Sequence, residues 1–271
     1  MDDRICVNFL QWALPRLHLR WKGFRKVRRQ VCRRIDKRLA ELELSTIDSY
    51  QKYLEENPSE WRILDRLCRI TISRFYRDSV VFDYFTEDVF PALVTSFRGK
   101  NCTMIRVWSV GCASGEEPYT VAMLWHFMIR PIYPDLRLEI LATDIDPVMI
   151  RRAEEACYTM SSLRDLPTEW LDRAFDERDG LYCLQKPLKE YVRFAPLDIR
   201  EDSPEGTFHV VLCRNLAFTY FNPDLQQRIV HKIFNATVRR GVLITGTHEI
   251  IASEGTGFVP WIEHMPIFRK T

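Results

Sequence analysis

The sequence predicts an α/β fold, in which a doubly wound, mostly parallel sheet follows an all-α domain and carries a small insert. Three observations predict it. Residues 1 to about 95 show helical periodicity and few strand signals. After "RGKNCT" at 98–103, strand-like and helix-like runs alternate, which is typical of βαβ units. Residues 158–191 interrupt this alternation over a length too great for a simple crossover.

The N-terminal part contains a predicted helix over 22–42. Its apolar side chains recur at steps of three and four and form one face: Phe24, Val27, Val31, Ile35, Leu39 and Leu42. The other faces carry nine basic residues against two acids. Further helices are predicted over 46–56, 59–70 and 78–96.

The C-terminal part supplies the strands. They are predicted over 105–110, 137–143, 192–197, 208–213 and 242–247, with helices over 117–130, 147–157 and from 223 onward. Asn222-Pro223 favours the start of the last helix, and Gly241 favours its end. The tail "GFVPWIEHMPIFRK" suits a closing antiparallel pair, and Asp179-Gly180 favours a hairpin turn in the insert.

Composition excludes several classes of protein. A net charge of +2 over 271 residues does not indicate a nucleic-acid or membrane partner. The chain has no run of 18 apolar residues and no signal peptide at its N-terminus, so no stable membrane insertion is predicted. The eight cysteines include no C-x-x-C pair and predict reduced, mostly buried thiols in a cytoplasmic protein. The six histidines lack metal-ligand spacing, so no metal is predicted.

The stretch "VWSVGCASGEEPY" combines a strand, a glycine turn and two acids. Gly111 and Gly115 allow close approach of a ligand, but Glu116 and Glu117 would repel a pyrophosphate. S-adenosylmethionine, which carries a cationic amino group and a sulfonium, fits this combination better. Asp144, at the end of the second strand, can accept hydrogen bonds from ribose hydroxyls.

A third acid, Asp198, ends the next predicted strand, within reach of an adenine amino group. Acids after three successive strands favour a cofactor site. The alternative is structural: Glu116 and Glu117 complement a helix dipole, and Asp144 and Asp198 cap loops.

Three motifs resemble the CheR family, the chemotaxis-receptor methyltransferases: "VWSVGCASGEEPYTVAM", "LATDIDPVMIRRA" and "FHVVLCRNLAFTYF". The resemblance extends upstream to "LCRITISRFYRD". It implies a helical domain at 1–98 and a seven-stranded methyltransferase domain at 99–271, with an insert at about 158–191. It also implies methylation of glutamate carboxylates on receptor helices, with S-adenosylhomocysteine as the product.

The resemblance also implies site residues. Glu117 is expected at the methionine amino group, Asp144 at the ribose, and Asp198 and Ile199 at the adenine. The remaining expected cofactor contacts are Gly111, Cys213, Arg214, Asn215 and, from the helical domain, Thr71, Ser73 and Arg77. Arg77 or Arg214 is expected to orient the substrate carboxylate. Tyr220 is expected either to donate a steering hydrogen bond or to pack as a core tyrosine at a strand end.

Four features depart from the family pattern. Thr71 and Ser73 stand where the family usually has Asn and Thr, and "GTHE" at 246–249 replaces a more usual Gly-His-Ser-Glu. Four residues separate Cys213-Arg214-Asn215 from Tyr220, so either Tyr220 or Thr219 takes the place of the family's tyrosine. The insert segment "AFDERDGLY" has one glycine, which speaks against a loop that tethers a receptor tail.

The substrate is left open by the sequence. The basic helix 22–42, with Arg25, Arg29, Arg33 and Lys37, is expected to dock an acidic helical protein, although a merely solvated face is the alternative. Nucleic acid ranks lower because aromatic residues do not interleave the charges. We expect a monomer. The other hypotheses are a methyltransferase of the same fold that acts on a small molecule or another protein group, and a noncatalytic cofactor-binding regulator.

Overall fold

The computed structural model describes residues 2–98, 103–251 and 255–271 and divides into two compact units. The first unit runs to Thr71 and includes Thr219–Gln226, and the second comprises Ile72–Phe218 and Gln227–Thr271. The contacts therefore divide the chain after residue 71, whereas the sequence pattern changes after residue 98. Cys102 and most of the "RGKNCT" segment lie outside the described residues.

The first unit is helical. Its helices are α1 (Asp3–Ala13), α2 (Trp21–Phe24), α3 (Arg28–Glu41), α4 (Ile47–Glu56) and α5 (Glu60–Cys68), with a 3₁₀ turn at Leu14–Leu17. The Asp2 carboxylate caps α1 by accepting the N–H of Arg4 at 2.8 Å, and Thr46 and Ser49 form a capping box on α4. Local sequence thus sets where these helices begin.

The prediction of one helix over 22–42 is wrong, because Arg25 to Val27 separate α2 from α3. Val27 has φ −108° and ψ −1°, and i→i−3 hydrogen bonds replace the helical ones there. The predicted apolar face is otherwise confirmed: Phe24, Val31, Ile35 and Leu39 are buried.

The basic residues of this region divide into two groups. Arg34 donates to the carbonyl oxygens of Leu67 and Arg69, Arg38 pairs with Glu60, and Arg28 pairs with Asp3. The second group is exposed and consists of Lys22, Arg25, Lys26, Arg29, Arg33 and Lys37. We call this second group the basic patch.

The second unit contains the predicted seven-stranded sheet, with strand order β6-β2-β1-β7-β8-β10-β9. Its strands are β1 (Met104–Val110), β2 (Arg137–Asp144), β6 (Val192–Pro196), β7 (Phe208–Cys213), β8 (Thr237–Thr245), β9 (Phe258–Pro260) and β10 (Ile267–Lys270). The first five named are parallel, and β10 is antiparallel to both β8 and β9. Both the fold class and the closing antiparallel pair are confirmed.

Helices cover this sheet. They are α6 (Ser79–Tyr84), α7 (Phe90–Arg98), α8 (Glu116–Leu124), α9 (Pro147–Glu155), α10 (Met160–Leu163), α11 (Thr168–Ala174), α12 (Lys186–Lys189), α13 (Ala217–Tyr220) and α14 (Pro223–Ala236). Phe82, Phe90 and Val94 lie in one buried cluster with Val107 and Val210 of the sheet. This apolar packing is why residues 79–98 group with the sheet.

Gly241 does not end a helix as predicted. Helix α14 ends at Ala236, and β8 begins at Thr237 and contains Gly241. The register with β7 shifts between Phe208 and Val210, so the residues before Val242 form a bulge. A Cβ at position 241 would lie 2.7 Å from Cγ2 of Thr237 and 2.9 Å from the carbonyl oxygen of Val238, so a side chain does not fit here.

The insert forms a separate three-stranded sheet, with strand order β3-β5-β4. Its strands are β3 (Cys157–Tyr158), β4 (Phe175–Arg178) and β5 (Leu181–Leu184). Asp179 and Gly180 have φ of 50° and 74° and form the predicted hairpin turn. A cleft of about 530 Å³ beside it is lined by Asp176, Arg178, Leu184, Gln185, Lys186, Lys189 and Glu190.

The prediction that the cysteines are reduced is wrong for four of them. Cys6 pairs with Cys32, and Cys157 pairs with Cys183. The second pair lies directly across β3 and β5, a proximity that follows from strand pairing and not from sequence spacing. Cys68, Cys112 and Cys213 are free and buried, as predicted.

Candidate active site

The glycine turn after β1 is held against the end of β2. The N–H groups of Gly111 and Cys112 both donate to the carbonyl oxygen of Thr143, at 2.8 and 3.0 Å. Gly111 and Gly115 have φ of 70° and 92°, where a side chain is strained. A Cβ on Gly111 would also overlap the side chain of Leu216. The turn therefore keeps bare backbone at the carboxyl ends of the parallel strands, where open α/β sheets bind ligands.

Asp144 lies at the end of β2, as predicted, and is half-buried. Its two carboxylate oxygens accept the N–H groups of Ala113, at 2.9 Å, and Asp146, at 2.8 Å. Ala113 has φ of 47°, a conformation that few residues other than glycine adopt. Asp144 thus joins the end of β2 to the glycine turn and presents an acid there.

The two acids that follow the turn differ in their partners. Glu116 is 3% exposed. The Ser114 hydroxyl donates to its carboxylate and lies 2.9 Å from each of the two carboxylate oxygens. Burial raises its pKa, while hydrogen bonds that include one from Ser73 oppose the rise. The hydroxyl of Tyr158 in the insert donates to the carbonyl oxygen of Ser114 at 2.8 Å. Glu116 therefore holds the turn in place.

Glu117 instead faces the ends of β1 and β7. It accepts the Ser109 hydroxyl at 2.7 Å, and its other oxygen lies 3.4 Å from Nη1 of Arg214. Burial raises the pKa of Glu117, and Arg214 and Ser109 only partly offset the rise. Because its ionised form is incompletely stabilised, a further cation beside this carboxylate would stabilise it.

Arg214 links β7 to the segment that contains Arg77. Its side chain is 3% exposed, and Nη2 donates to the Asp78 carboxylate at 2.8 Å and to the carbonyl oxygen of Arg77 at 2.7 Å. Its guanidinium also lies over the ring of Phe82, with 4.7 Å from Cζ to the ring centroid. Among the described atoms, its Nε is buried and has no hydrogen-bond partner. These bonds favour a positioning role for Arg214 over direct contact with a substrate.

Arg77 belongs to the second unit and not, as expected, to the helical domain. Its neighbours Tyr76 and Asp78 have φ of 54° and 60°, and the Tyr76 N–H donates to the Thr120 hydroxyl at 3.0 Å. Nη2 of Arg77 donates to the Asn215 side-chain oxygen at 3.3 Å. Strained backbone of this kind persists only where its surroundings hold it, and it concentrates at functional sites.

The other predicted site residues lie in different surroundings. Cys213 is buried at the end of β7, and burial raises the pKa of its thiol. The Asp198 carboxylate pairs with Arg200 at 2.9 Å, and Ile199 beside it is buried. The adenine contact of these two residues stays a prediction.

Thr71 and Tyr220 belong to the first unit. There the Tyr220 ring packs edge-on against Phe24, with ring centroids 5.2 Å apart, and the N–H of Arg20 donates to the carbonyl oxygen of Tyr220 at 2.8 Å. Which of Thr219 and Tyr220 takes the place of the family's tyrosine stays open.

Sequence reasoning missed two residues of this arrangement. Ser109 and Asp78 bond to the predicted site residues Glu117 and Arg214. The one available signal was position: Ser109 is a polar residue in a buried strand beside the glycine turn, and Asp78 adjoins Arg77. Within the described ranges, we find no group of three or more His, Cys, Asp or Glu residues placed to hold a metal ion, and no helix long and apolar enough to cross a membrane.

Comparison with known families agrees with this geometry. The CheR methyltransferase SAM-binding domain matches residues 71–261, and the CheR methyltransferase all-alpha domain matches residues 26–66. The fold and these two matches are thus those of an S-adenosylmethionine-dependent methyltransferase. The chain belongs to the CheR methyltransferase family.

Curated relatives support the assignment. A chemotaxis protein methyltransferase of Listeria monocytogenes is 30% identical over 82% of this chain and 81% of its own length. That of Escherichia coli is 29% identical over 82% of this chain and 76% of its own length. An uncharacterized 104.1 kDa protein of Rhodobacter capsulatus is 32% identical over 82% of this chain, which spans only 23% of that relative.

Solved structures are more distant. The magnesium protoporphyrin IX methyltransferase of Synechocystis PCC 6803, with bound S-adenosylmethionine, is 15% identical over 66% of this chain and 70% of its own. Its TM-score of 0.34 is too low to carry an argument.

Proposed function

We propose that this chain transfers a methyl group from S-adenosylmethionine to glutamate carboxylates of a chemoreceptor-like protein and releases S-adenosylhomocysteine. The observation that carries the proposal is the under-compensated Glu117 carboxylate, which lies beside the glycine turn at the ends of β1 and β7. Two curated relatives named chemotaxis protein methyltransferase, each matched over most of its length, support the receptor as the substrate.

The residues present fit the cofactor. Glu117 would accept hydrogen bonds from its ammonium group and Asp144 from its ribose hydroxyls, while Asp198 and Ile199 border its adenine. Gly111, with φ of 70°, keeps bare backbone beside these acids, and a ligand can approach the turn closely there. The remaining contacts that we propose are Thr71, Ser73, Cys213 and Asn215. When bound, the cofactor supplies a methyl group on a positively charged sulfur.

The chain's own residues would orient the acceptor. A substrate carboxylate is already ionised at neutral pH, so the site needs no general base, and alignment and exclusion of water supply the catalysis. Arg77 would orient this carboxylate by charge-assisted hydrogen bonds, since the one hydrogen bond of its side chain within the described residues is the 3.3 Å bond to Asn215. Arg214 would hold Arg77 through its backbone. Tyr220 would donate a steering hydrogen bond.

The basic patch would dock the substrate protein. Its members are exposed and all positively charged, so they would attract the acidic surface of a helical protein. The two-residue turn of the insert hairpin leaves no long loop there to hold a receptor tail. We further propose a cytoplasmic monomer.

Intact-mass analysis tests the proposal. The full chain is incubated with S-adenosylmethionine and the helical cytoplasmic domain of a chemoreceptor. Gain of one methyl group per site, lost again on mild base treatment, is the expected result because carboxylate esters are base-labile. A base-stable product would contradict carboxylate methylation. Binding of S-adenosylhomocysteine without turnover on any receptor domain would instead favour a noncatalytic role.

A further inference from the structure

Glu249 is a buried acid outside the predicted site. It is 8% exposed, whereas its neighbour His248 is exposed. One oxygen, Oε2, accepts the N–H of Gly246 at 2.7 Å and the N–H of Asn215 at 2.9 Å. Gly246 follows β8 and Asn215 lies just after β7, so one carboxylate oxygen joins the ends of two adjacent parallel strands.

This bond fixes a strained residue. Asn215 has φ of 55°, and its side-chain oxygen accepts Nη2 of Arg77. The packing around the bond is close, because a Cβ on Gly246 would lie 2.9 Å from Oε2 of Glu249 and 3.0 Å from Oδ1 of Asn215. A continuous series of hydrogen bonds therefore runs from Glu249 through Asn215 to Arg77.

We propose that Glu249 is a positioning residue that holds the Arg77 guanidinium through Asn215. The inference rests on the proposed function, because Arg77 matters to methyl transfer only if it orients the substrate carboxylate. A carboxylate that accepts two N–H groups forms stronger bonds than a neutral acceptor and fixes the turn at Asn215 more firmly.

The first test measures amide hydrogen exchange by NMR in the full chain without ligand. Glu249→Ala removes both acceptor bonds, so exchange at Asn215 and Gly246 is expected to quicken at least tenfold. Glu249→Gln keeps an oxygen acceptor and is expected to restore most of the protection. Unchanged exchange in Glu249→Ala would overturn the inference.

Lys270→Met is the matched control. Lys270 also donates two hydrogen bonds to backbone, to the carbonyl oxygens of Phe234 and Thr237 at 2.6 and 2.7 Å. These bonds lie at the beginning of β8, at the other end of the strand from Gly246. The control is expected to lower stability without quickening exchange at Asn215.

The second test is a double-mutant cycle on receptor methylation. Glu249→Ala is expected to lower kcat for receptor methylation roughly ten- to a hundredfold. In the Arg77→Ala background, the same change is expected to lower kcat less than about threefold further. An equal loss in both backgrounds would overturn the inference, because Glu249 would then act independently of Arg77.

Failure of the proposed function gives a different result. A wild-type chain that binds no S-adenosylhomocysteine and methylates no receptor domain refutes the proposed function. The exchange comparison still decides whether Glu249 fixes Asn215.

Discussion

Glu60 in the helical unit and Glu117 in the sheet unit are both mostly buried carboxylates paired with arginine, but their surroundings differ. Both oxygens of Glu60 accept from Arg38, at 2.8 and 2.9 Å, and one also accepts the Tyr50 hydroxyl at 3.0 Å. Glu117 accepts the Ser109 hydroxyl at 2.7 Å and has a 3.4 Å contact with Nη1 of Arg214, whose Nη2 donates instead to Asp78 and to the carbonyl oxygen of Arg77.

The pKa values of the two acids move in opposite directions. Burial acts to raise the pKa of Glu60, but Arg38 and Tyr50 outweigh it and lower the pKa. Burial raises the pKa of Glu117, and its partners do not offset it. A satisfied ion pair stabilises the fold, whereas an incompletely satisfied acid is suited to a cationic ligand.

The largest expected effect is on stability. Glu60→Ala leaves the Arg38 charge without its buried partner and should lower the free energy of unfolding by ~3–5 kcal/mol, measured by urea denaturation. Glu41→Ala removes the exposed partner of the same arginine and should cost less than ~1 kcal/mol. If Glu60→Ala and Glu41→Ala lowered the free energy of unfolding equally, the buried pair with Glu60 would contribute no more than the exposed pair with Glu41.

Cofactor binding gives the next effect. Asp144→Ala should weaken S-adenosylmethionine binding by roughly 1.5–3 kcal/mol, because hydrogen bonds to a charged acceptor are lost, and titration calorimetry measures this. Asp146→Ala, in the same loop, removes the cap on the N–H of Val148 and should lower stability but leave affinity unchanged. Equal affinities of wild type and a folded Asp144→Ala variant would refute the ribose contact.

The pKa of Glu117 predicts a pH dependence. An ammonium group favours ionised Glu117, so binding should release protons and affinity should fall as pH drops below the raised pKa of the free protein, by up to ~1.4 kcal/mol per pH unit. Calorimetry in two buffers measures the proton release. Glu117→Gln should bind weakly with little pH dependence, and proton uptake by wild type would contradict the assignment.

The same comparison extends to folding. The Glu60 contribution to stability is present above its usual pKa of 4.5 and is lost as pH falls through its lowered value. The Glu117 contribution has the opposite sign, because its raised pKa destabilises the ligand-free fold above the usual 4.5, and this cost is relieved as pH falls. Denaturation across pH should therefore show less acid sensitivity in Glu60→Gln than in wild type.

The smallest effect per residue lies at the basic patch. Each exposed pair contributes ~0.2–1 kcal/mol, so changing Arg29, Arg33 and Lys37 to Glu should raise KM for a receptor domain and increase salt sensitivity. Affinity for the cofactor should stay nearly unchanged. Changing Arg178, Lys186 and Lys189 of the insert cleft to Glu is the matched control. If the patch variant methylates the receptor domain normally at low salt, the basic patch is only a solvated surface and does not dock the substrate.

Local chemistry explains what the sequence predicted correctly. The alternation of strands and helices, the glycine turn and the Asp179-Gly180 hairpin depend on neighbouring residues, and each is confirmed. The end of β2 at Asp144 and the end of β6, two residues before Asp198, also follow from apolar runs in the sequence.

Contacts between distant residues decided the rest. Gly241 lies in a strand because its segment pairs with β7, and the bond between Cys157 and Cys183 follows from the pairing of β3 with β5. Adjacent Glu116 and Glu117 are alike in sequence, but only the fold brings Arg214 to Glu117. The sequence by itself thus determined the elements and the acids at the strand ends. The tertiary structure decided which acids are satisfied, because burial and charge pairing depend on residues far apart in the chain.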